Sequence, residues 1–105
     1  MSLKDLQSKA LDIEAELLEL KHKPYWRDRW FDSTQGRRAG QHYTRLCWFS
    51  SPGRKRRQTL KSNAEIADHR ERIERGKRIK VLERELEQVR EAVDKTEKAI
   101  ARLIG

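Results

Sequence analysis

Apolar residues recur at alternating three- and four-residue intervals at both ends of the chain and lose that rhythm in between, and this pattern restricts the possible folds more than any other feature. Near the N-terminus they fall at Leu3, Leu6, Ala10, Ile13, Leu17 and Leu20, on one stripe of a helix. Ser2 is placed to cap that helix, Asp5 lies in its first turn and Pro24 stops it. Toward the C-terminus the spacing returns through Ile79, Leu82, Leu86, Val89, Val93, Thr96, Ile100 and Leu103, about three and a half heptads. At about 1.5 Å per residue the two stretches are on the order of 33 and 39 Å long, which lets them pair antiparallel along most of their length. The spacing therefore predicts a coiled-coil hairpin whose seam sets Leu6, Ile13, Leu17 and Leu20 against Leu82, Leu86, Val89, Val93 and Ile100.

Leu11 and Leu18 fall outside the first stripe, and Val81, Ala92 and Ile104 widen the second. That is more apolar surface than one two-stranded seam covers. A homodimer built as a four-helix bundle is the expected solution, with a monomeric hairpin carrying a few greasy surface positions as the alternative.

Upstream of Ile79 the phase breaks, because Ile66 and Ile73 are seven apart whereas Ile73 and Ile79 are six apart, with Gly76 between them. Ser62-Asn63-Ala64-Glu65 has the form of a capping box, so the second helix is expected to start there with its first turns facing something other than the seam. A hinge or kink is expected at Gly76, where glycine costs about 1 kcal/mol relative to alanine.

The middle of the chain is different in charge as well as in rhythm. The 105 residues carry a net charge of +8, yet residues 1–20 hold 2 basic and 5 acidic groups, residues 21–61 hold 12 and 2, and residues 62–105 hold 11 and 10. The positive field thus comes from the centre. With only 35% hydrophobic residues and 40% charged ones, a chain of this size has too little apolar material for a thick core around a buried active site. An enzyme is not expected, nor is a small-molecule substrate.

Within that basic centre, residues 25–32 (YWRDRWFD) alternate in strand fashion, residues 33–40 supply a turn with two glycines, residues 41–49 (QHYTRLCWF) form a second strand, residues 50–53 (SSPG) turn again, and residues 54–60 (RKRRQTL) form a third. The fold class is α+β: an antiparallel helical hairpin with an inserted three-stranded antiparallel sheet. Its parts are a helix at 1–23, a basic sheet at 24–61, and a helix at 62–105 whose residues 62–76 pack on the sheet while 79–104 join the coiled coil. Strict period-two alternation predicts two faces. Trp26, Trp30, Leu46, Trp48 and Leu60 make an apolar one, expected to pack on Ile66 and Ile73. Tyr25, Arg27, Arg29, Phe31, Tyr43, Arg45, Cys47, Arg57 and Thr59 make an arginine face interleaved with aromatics. A one-residue slip or a bulge exchanges such assignments.

An arginine and aromatic face suits nucleic acid, since guanidinium groups neutralise phosphates or fork onto guanine and a β-ribbon fits a DNA major groove. The expected contact set is Arg27, Arg29, Tyr43, Arg45, Arg57 and Thr59 on the face, extended by Arg37 and Arg38 in one turn and by Arg54, Lys55 and Arg56 beside the other. The tryptophans read first as a small core and second as stacking platforms. This head resembles the three-stranded arm-binding domain at the N-terminus of tyrosine recombinases, on a strand with Trp and Arg, an Asp and Gly turn followed by basic residues over 32–38, a second strand, a basic third strand and a capped helix, together spanning residues 25–76. The resemblance implies a sheet laid in the major groove with the helix bracing its back. Because the sheet is here inserted between helices and no recombinase catalytic domain follows, it implies binding and nothing catalytic.

His22, His42 and His69 lack ligand spacing, Cys47 stands alone, and Gly36, Gly40 and Gly53 belong to turns, so neither a metal site, a cofactor nor a phosphate loop is expected. His42, Asp28 and Asp32 as a nuclease constellation is the remote catalytic alternative; an Asp28 ion pair with Arg27 or Arg29 is simpler. With no apolar run of membrane-spanning length and no signal-peptide pattern, a cytoplasmic, nucleoid-associated location is expected. The leading functional expectation is a small dimeric protein binding duplex DNA, in transcription regulation or in service to a mobile element or plasmid. RNA or single-stranded nucleic acid is the second, and a protein-binding helical hairpin in the manner of prefoldin subunits the third, disfavoured by the concentrated positive charge.

Overall fold

The computed structural model describes all 105 residues, Met1–Gly105. Two helices flank three strands in the order α1 (Leu3–Lys21), β1 (Trp30–Gln35), β2 (His42–Ser51), β3 (Arg54–Thr59) and α2 (Asn63–Ile104). The strands form one antiparallel sheet with β2 in the centre, so the α+β class follows. No helix is long and apolar enough to cross a membrane. The chain divides into two compact units, one made of Met1–Lys23 with Arg78–Gly105 and the other of Pro24–Lys77.

In the helical unit, Ser2 caps α1 by accepting the Asp5 amide at 3.2 Å. The stripe residues Leu6, Ile13 and Leu17 of α1 and Ile79, Leu82, Leu86 and Val89 of α2 are the ones removed from solvent. Arg78 pairs with Glu16 and Arg90 with Glu14 across the two helices at 3.1 and 2.7 Å, both on exposed flanks where such pairs add little. The expected seam is shorter than its sequence pattern: Leu20 and Val93 are half-buried, and Ile100 is exposed. Nineteen residues of α1 extend for about 28 Å and cannot cover the longer stretch of α2 in this unit.

In the sheet unit, α2 begins at the expected cap. The Glu65 amide donates to Ser62 Oγ at 3.1 Å, and the Glu65 carboxylate accepts from the Lys61 amide at 2.9 Å, so two otherwise orphaned donors are satisfied. One face of the sheet packs on the first turns of this helix. Leu46, Leu60 and Ile73 form the buried core, with Trp26, Phe31, Trp48 and Ile66 packed around it. Ile66 and Ile73 therefore serve the sheet, which is why they lie out of phase with the residues after Ile79.

The first strand differs from expectation. Residues 25–29 are not sheet, and β1 instead runs into the region read as a turn, through Gln35. The cause is local. Asp28 has φ 54°, a left-handed conformation that breaks extended pairing, and the preceding backbone is held by α2: the Trp26 amide donates to the Arg72 carbonyl at 3.0 Å and Arg75 donates to the Pro24 carbonyl. Gly76 permits this approach. A Cβ there would stand 1.8 Å from the Trp26 carbonyl oxygen, inside any tolerable contact. α2 is helical through Gly76, and the glycine there serves as a docking point for the Trp26 backbone.

The sign of one substitution separates these roles. If Gly76 were a hinge, Gly76→Ala would stabilise by about 1 kcal/mol through helix propensity. As a docking point it is expected to destabilise by about 1–3 kcal/mol net as the strap formed by residues 24–27 is pushed off the helix, read as a lower urea midpoint followed by tryptophan fluorescence.

Candidate functional site

The side of the sheet facing away from α2 is the candidate site, and its composition follows from the register. Trp30 pairs with Cys47, Phe31 with Leu46 and Asp32 with Arg45, while Cys47, Arg45 and Phe49 pair with Arg57, Thr59 and Lys55. Because directly opposed residues share a side, the open face carries Trp30, Asp32 and Thr34 from β1, Tyr43, Arg45, Cys47 and Phe49 from β2, and Lys55, Arg57 and Thr59 from β3.

Two aromatic assignments are reversed from the sequence expectation. Trp30 lies on the open face and Phe31 on the packed one, because the left-handed Asp28 resets the alternation between Trp26 and Trp30. Trp26 and Trp48 pack on the core as expected. Trp30 and Phe49 meet at 5.5 Å between ring centroids with a 38° tilt, and the Lys55 ammonium lies 5.6 Å from the Trp30 ring. Phe49 is 57% exposed and Tyr43 39%, large values for aromatic rings on one face of a small sheet. The alternation Tyr43, Arg45, Cys47, Phe49 carries the signal for Phe49, a residue the expected contact set lacks.

Arg27 and Arg29 are outside the sheet, contrary to expectation. Arg27 lies in the strap, 5.7 Å from the Tyr25 ring. Arg29 is inserted between tryptophans, its guanidinium 3.8 Å from the Trp26 ring and 4.5 Å from that of Trp48. Burial lowers its pKa from the ordinary arginine value, the cost of removing a cation from water that the two π faces offset. Trp26 is itself held by its indole N–H, which donates to His69 Nδ1 at 2.9 Å. Arg29 is a structural clamp.

Arg45 is on the open face but not free. It makes a two-pronged contact with Asp32 at 2.7 and 3.1 Å, and Lys55 approaches the same carboxylate at 3.9 Å. The hydrogen bond from Arg45 is the main reason the Asp32 carboxyl is held below its usual value of 3.8, and the same bond raises the Arg45 pKa. Cys47 is fully buried beneath these side chains. Burial, then the neighbouring Asp32 carboxylate, pushes its thiol pKa up, so it packs as a neutral hydrophobe.

The remaining expected contacts are exposed. Arg54, Lys55, Arg56, Arg57 and Thr59 lie on β3, every residue of which is exposed, though Arg56 pairs with Trp48 and so belongs to the helix side. A bulge between Phe49 and Ser51 and a left-handed Gly53 shape the turn into β3. Arg37 and Arg38 lie in the other turn, closed by the Gly36 amide donating to the Gln41 carbonyl at 2.7 Å. With Gln35, Gly36, Gln41 and Tyr43 they line a shallow recess. His22, His42 and His69 are not brought together, and no three His, Cys, Asp or Glu side chains gather as a metal site would require.

Charge follows the division into units. Pro24–Lys77 holds 14 basic and 6 acidic residues, and the helical unit holds 11 of each. The whole net charge of +8 belongs to the unit containing the sheet. No family model, curated protein or solved structure matches the chain.

Two outcomes follow. Arg29→Ala is expected to lower the melting temperature of the sheet unit, whereas Arg57→Ala, on the exposed edge strand, is expected to leave it within the small range typical of surface changes. Because the folded pKa of Asp32 is depressed, its contribution is present above the unfolded carboxylate value and is lost as pH falls through the folded value. Unfolding titrations from pH 6 to pH 2 should show stability falling below about pH 4, and Asp32→Asn should remove part of that fall.

Proposed function

We propose that this protein binds nucleic acid through the open face of its sheet and the basic turns at the ends of the strands, and that α1 and the C-terminal part of α2 form an antiparallel coiled-coil hairpin that brings two chains together. The observation that carries the reading is the confinement of the entire net positive charge to the sheet unit beside a neutral helical unit. A polyanion is the partner such a field selects, because each Lys or Arg at a phosphate releases condensed counterions. Lys55 and Arg57 on the face, Arg54 at its bulged end, and Arg37 and Arg38 in the opposite turn supply that contact. A dimer places two such sheets on one polymer and multiplies affinity through effective concentration.

The dimer is supported by what the helical unit leaves uncovered. Leu11 and Leu18, seven apart on α1, are 65% and 75% exposed, and Val81, Leu103 and Ile104 on α2 are exposed as well. A second hairpin would bury them.

Duplex DNA enters on the fit of a β-ribbon to a major groove and on the resemblance to the recombinase arm-binding domain. With Arg27 and Arg29 outside the sheet and Arg45 committed to Asp32, support for an arginine face that reads bases is reduced, and phosphate contact carries the reading. The role that follows is a small regulator of transcription or a mobile-element or plasmid factor. One observation favours a single-stranded partner instead, the exposure of Phe49 beside Trp30 on the open face.

Affinity for 12-residue oligonucleotides, measured by fluorescence anisotropy between 50 and 200 mM salt, is expected to fall steeply. Lys55→Ala with Arg57→Ala should reduce the slope of log affinity against log salt by about 2. A flat dependence would falsify the nucleic-acid reading. Sedimentation equilibrium is expected to give twice the chain mass at micromolar concentration, and Leu11→Glu with Leu18→Glu to give a helical monomer. A monomeric unmodified protein would sink the dimer.

A further inference from the structure

We propose that the open face is a stacking platform for unpaired bases, selecting single-stranded nucleic acid over duplex, with Phe49 as the principal stacking residue. This rests on the nucleic-acid reading above and narrows it to a substrate class.

The argument begins with the lateral order of the face. Read across the sheet, β1 contributes Trp30, Asp32 and Thr34, β2 contributes Phe49, Cys47, Arg45 and Tyr43, and β3 contributes Lys55, Arg57 and Thr59. Arg57 stands exposed on β3, whereas the Lys55 side chain reaches from β3 toward β1, its ammonium 3.9 Å from the Asp32 carboxylate and 5.6 Å from the Trp30 ring, so that Arg45 and Lys55 flank the Asp32 carboxylate. A phosphate backbone laid across the middle would meet that carboxylate. A backbone running along β3 meets Arg57, and its bases then fall over the exposed Phe49 ring, which Trp30 backs.

Ring presentation points the same way. Phe49 is more than half exposed while its neighbour Trp30 is half-buried and braces it at 5.5 Å. Phe49 and Tyr43 are carried on β2, the central strand, which is paired on both edges. An exposed aromatic ring on a rigid strand loses little entropy when it stacks. A duplex offers its base faces to neighbouring pairs and only edges to a protein, so these rings have nothing to stack on in a groove, whereas an unpaired base presents a π face. Tyr43 lies six residues from Phe49 on the same side, about 20 Å along the strand. A platform of this extent takes on the order of two or three bases. Stacking is tolerant of base identity, so the ligand class is single-stranded DNA or RNA with weak sequence preference.

The test compares oligo-dT, oligo-U and a mixed-sequence duplex of equal length, each 12 residues, at 50 mM salt, with the unmodified protein and Phe49→Ala, Phe49→Leu and Phe49→Trp. Single strands are expected to bind at least tenfold more tightly than duplex. Ala and Leu should weaken single-strand binding on the order of 5- to 150-fold, Trp should retain it, and duplex binding should not change. Leu keeps the apolar bulk and removes the π face, so undiminished binding by Phe49→Leu overturns the inference. Duplex affinity equal to or above that for single strands also overturns it while leaving the nucleic-acid reading standing. Absence of binding to all three polymers overturns both. Tyr43→Leu, at the other end of the face, is the second variant: it should weaken the oligo-dT and oligo-U complexes in the same direction, and a loss confined to duplex would count against the platform.

Discussion

The contact between the strap at residues 24–27 and one turn of α2 decides how the sheet unit is arranged. Gly76 lets the Trp26 backbone reach the helix, the Trp26 amide takes the Arg72 carbonyl, and the indole is tied to His69. With Trp26 fixed there, the chain turns at the left-handed Asp28 before β1 begins. That turn determines which of two adjacent aromatic residues faces the core. Phe31 goes inward beside Leu46, and Trp30 goes outward beside Phe49. A sheet this small has one packed side, so exchanging those two residues exchanges core and surface.

Arginine serves three separate ends in one small unit. Arg29 is a packing residue between two indoles, Arg45 is bound to Asp32, and the arginines of β3 remain in water. These differences arise from geometry and not from chemistry, since the same guanidinium stacks, forks or stays hydrated according to what the fold puts beside it. The recruitment of Arg29 and Arg45 into structure concentrates the remaining positive charge at β3 and the turns.

The neutral helical unit and the basic sheet unit divide the chain's physical tasks. In the helical unit, stripe residues of α1 and α2 are buried and two exposed ion pairs of small energetic weight join the helices. The seam leaves Leu11, Leu18 and the last turn of α2 in solvent. The proposed dimer would form through the unit without net charge, where like-charge repulsion between copies is least.

Sequence alone determined the elements whose causes are local. Ser2 caps α1 and the Ser62–Glu65 pair caps α2, the three-four spacing marks stripes of which the middle residues become buried, Pro52-Gly53 turns the second strand into the third, and the charge is concentrated in the centre of the chain. Each depends on residues a few positions apart. Tertiary structure decided what depends on contacts between distant segments: the start of β1, the placement of Trp30 and Phe31, the clamp made by Arg29, the capture of Arg45 by Asp32, and the use of Gly76 as a docking point. Period-two reasoning carries a side-chain assignment along a strand only while the backbone stays extended. The Asp28 conformation ended that run, held by hydrogen bonds to a helix more than forty residues later in the chain, so no local pattern could reveal it.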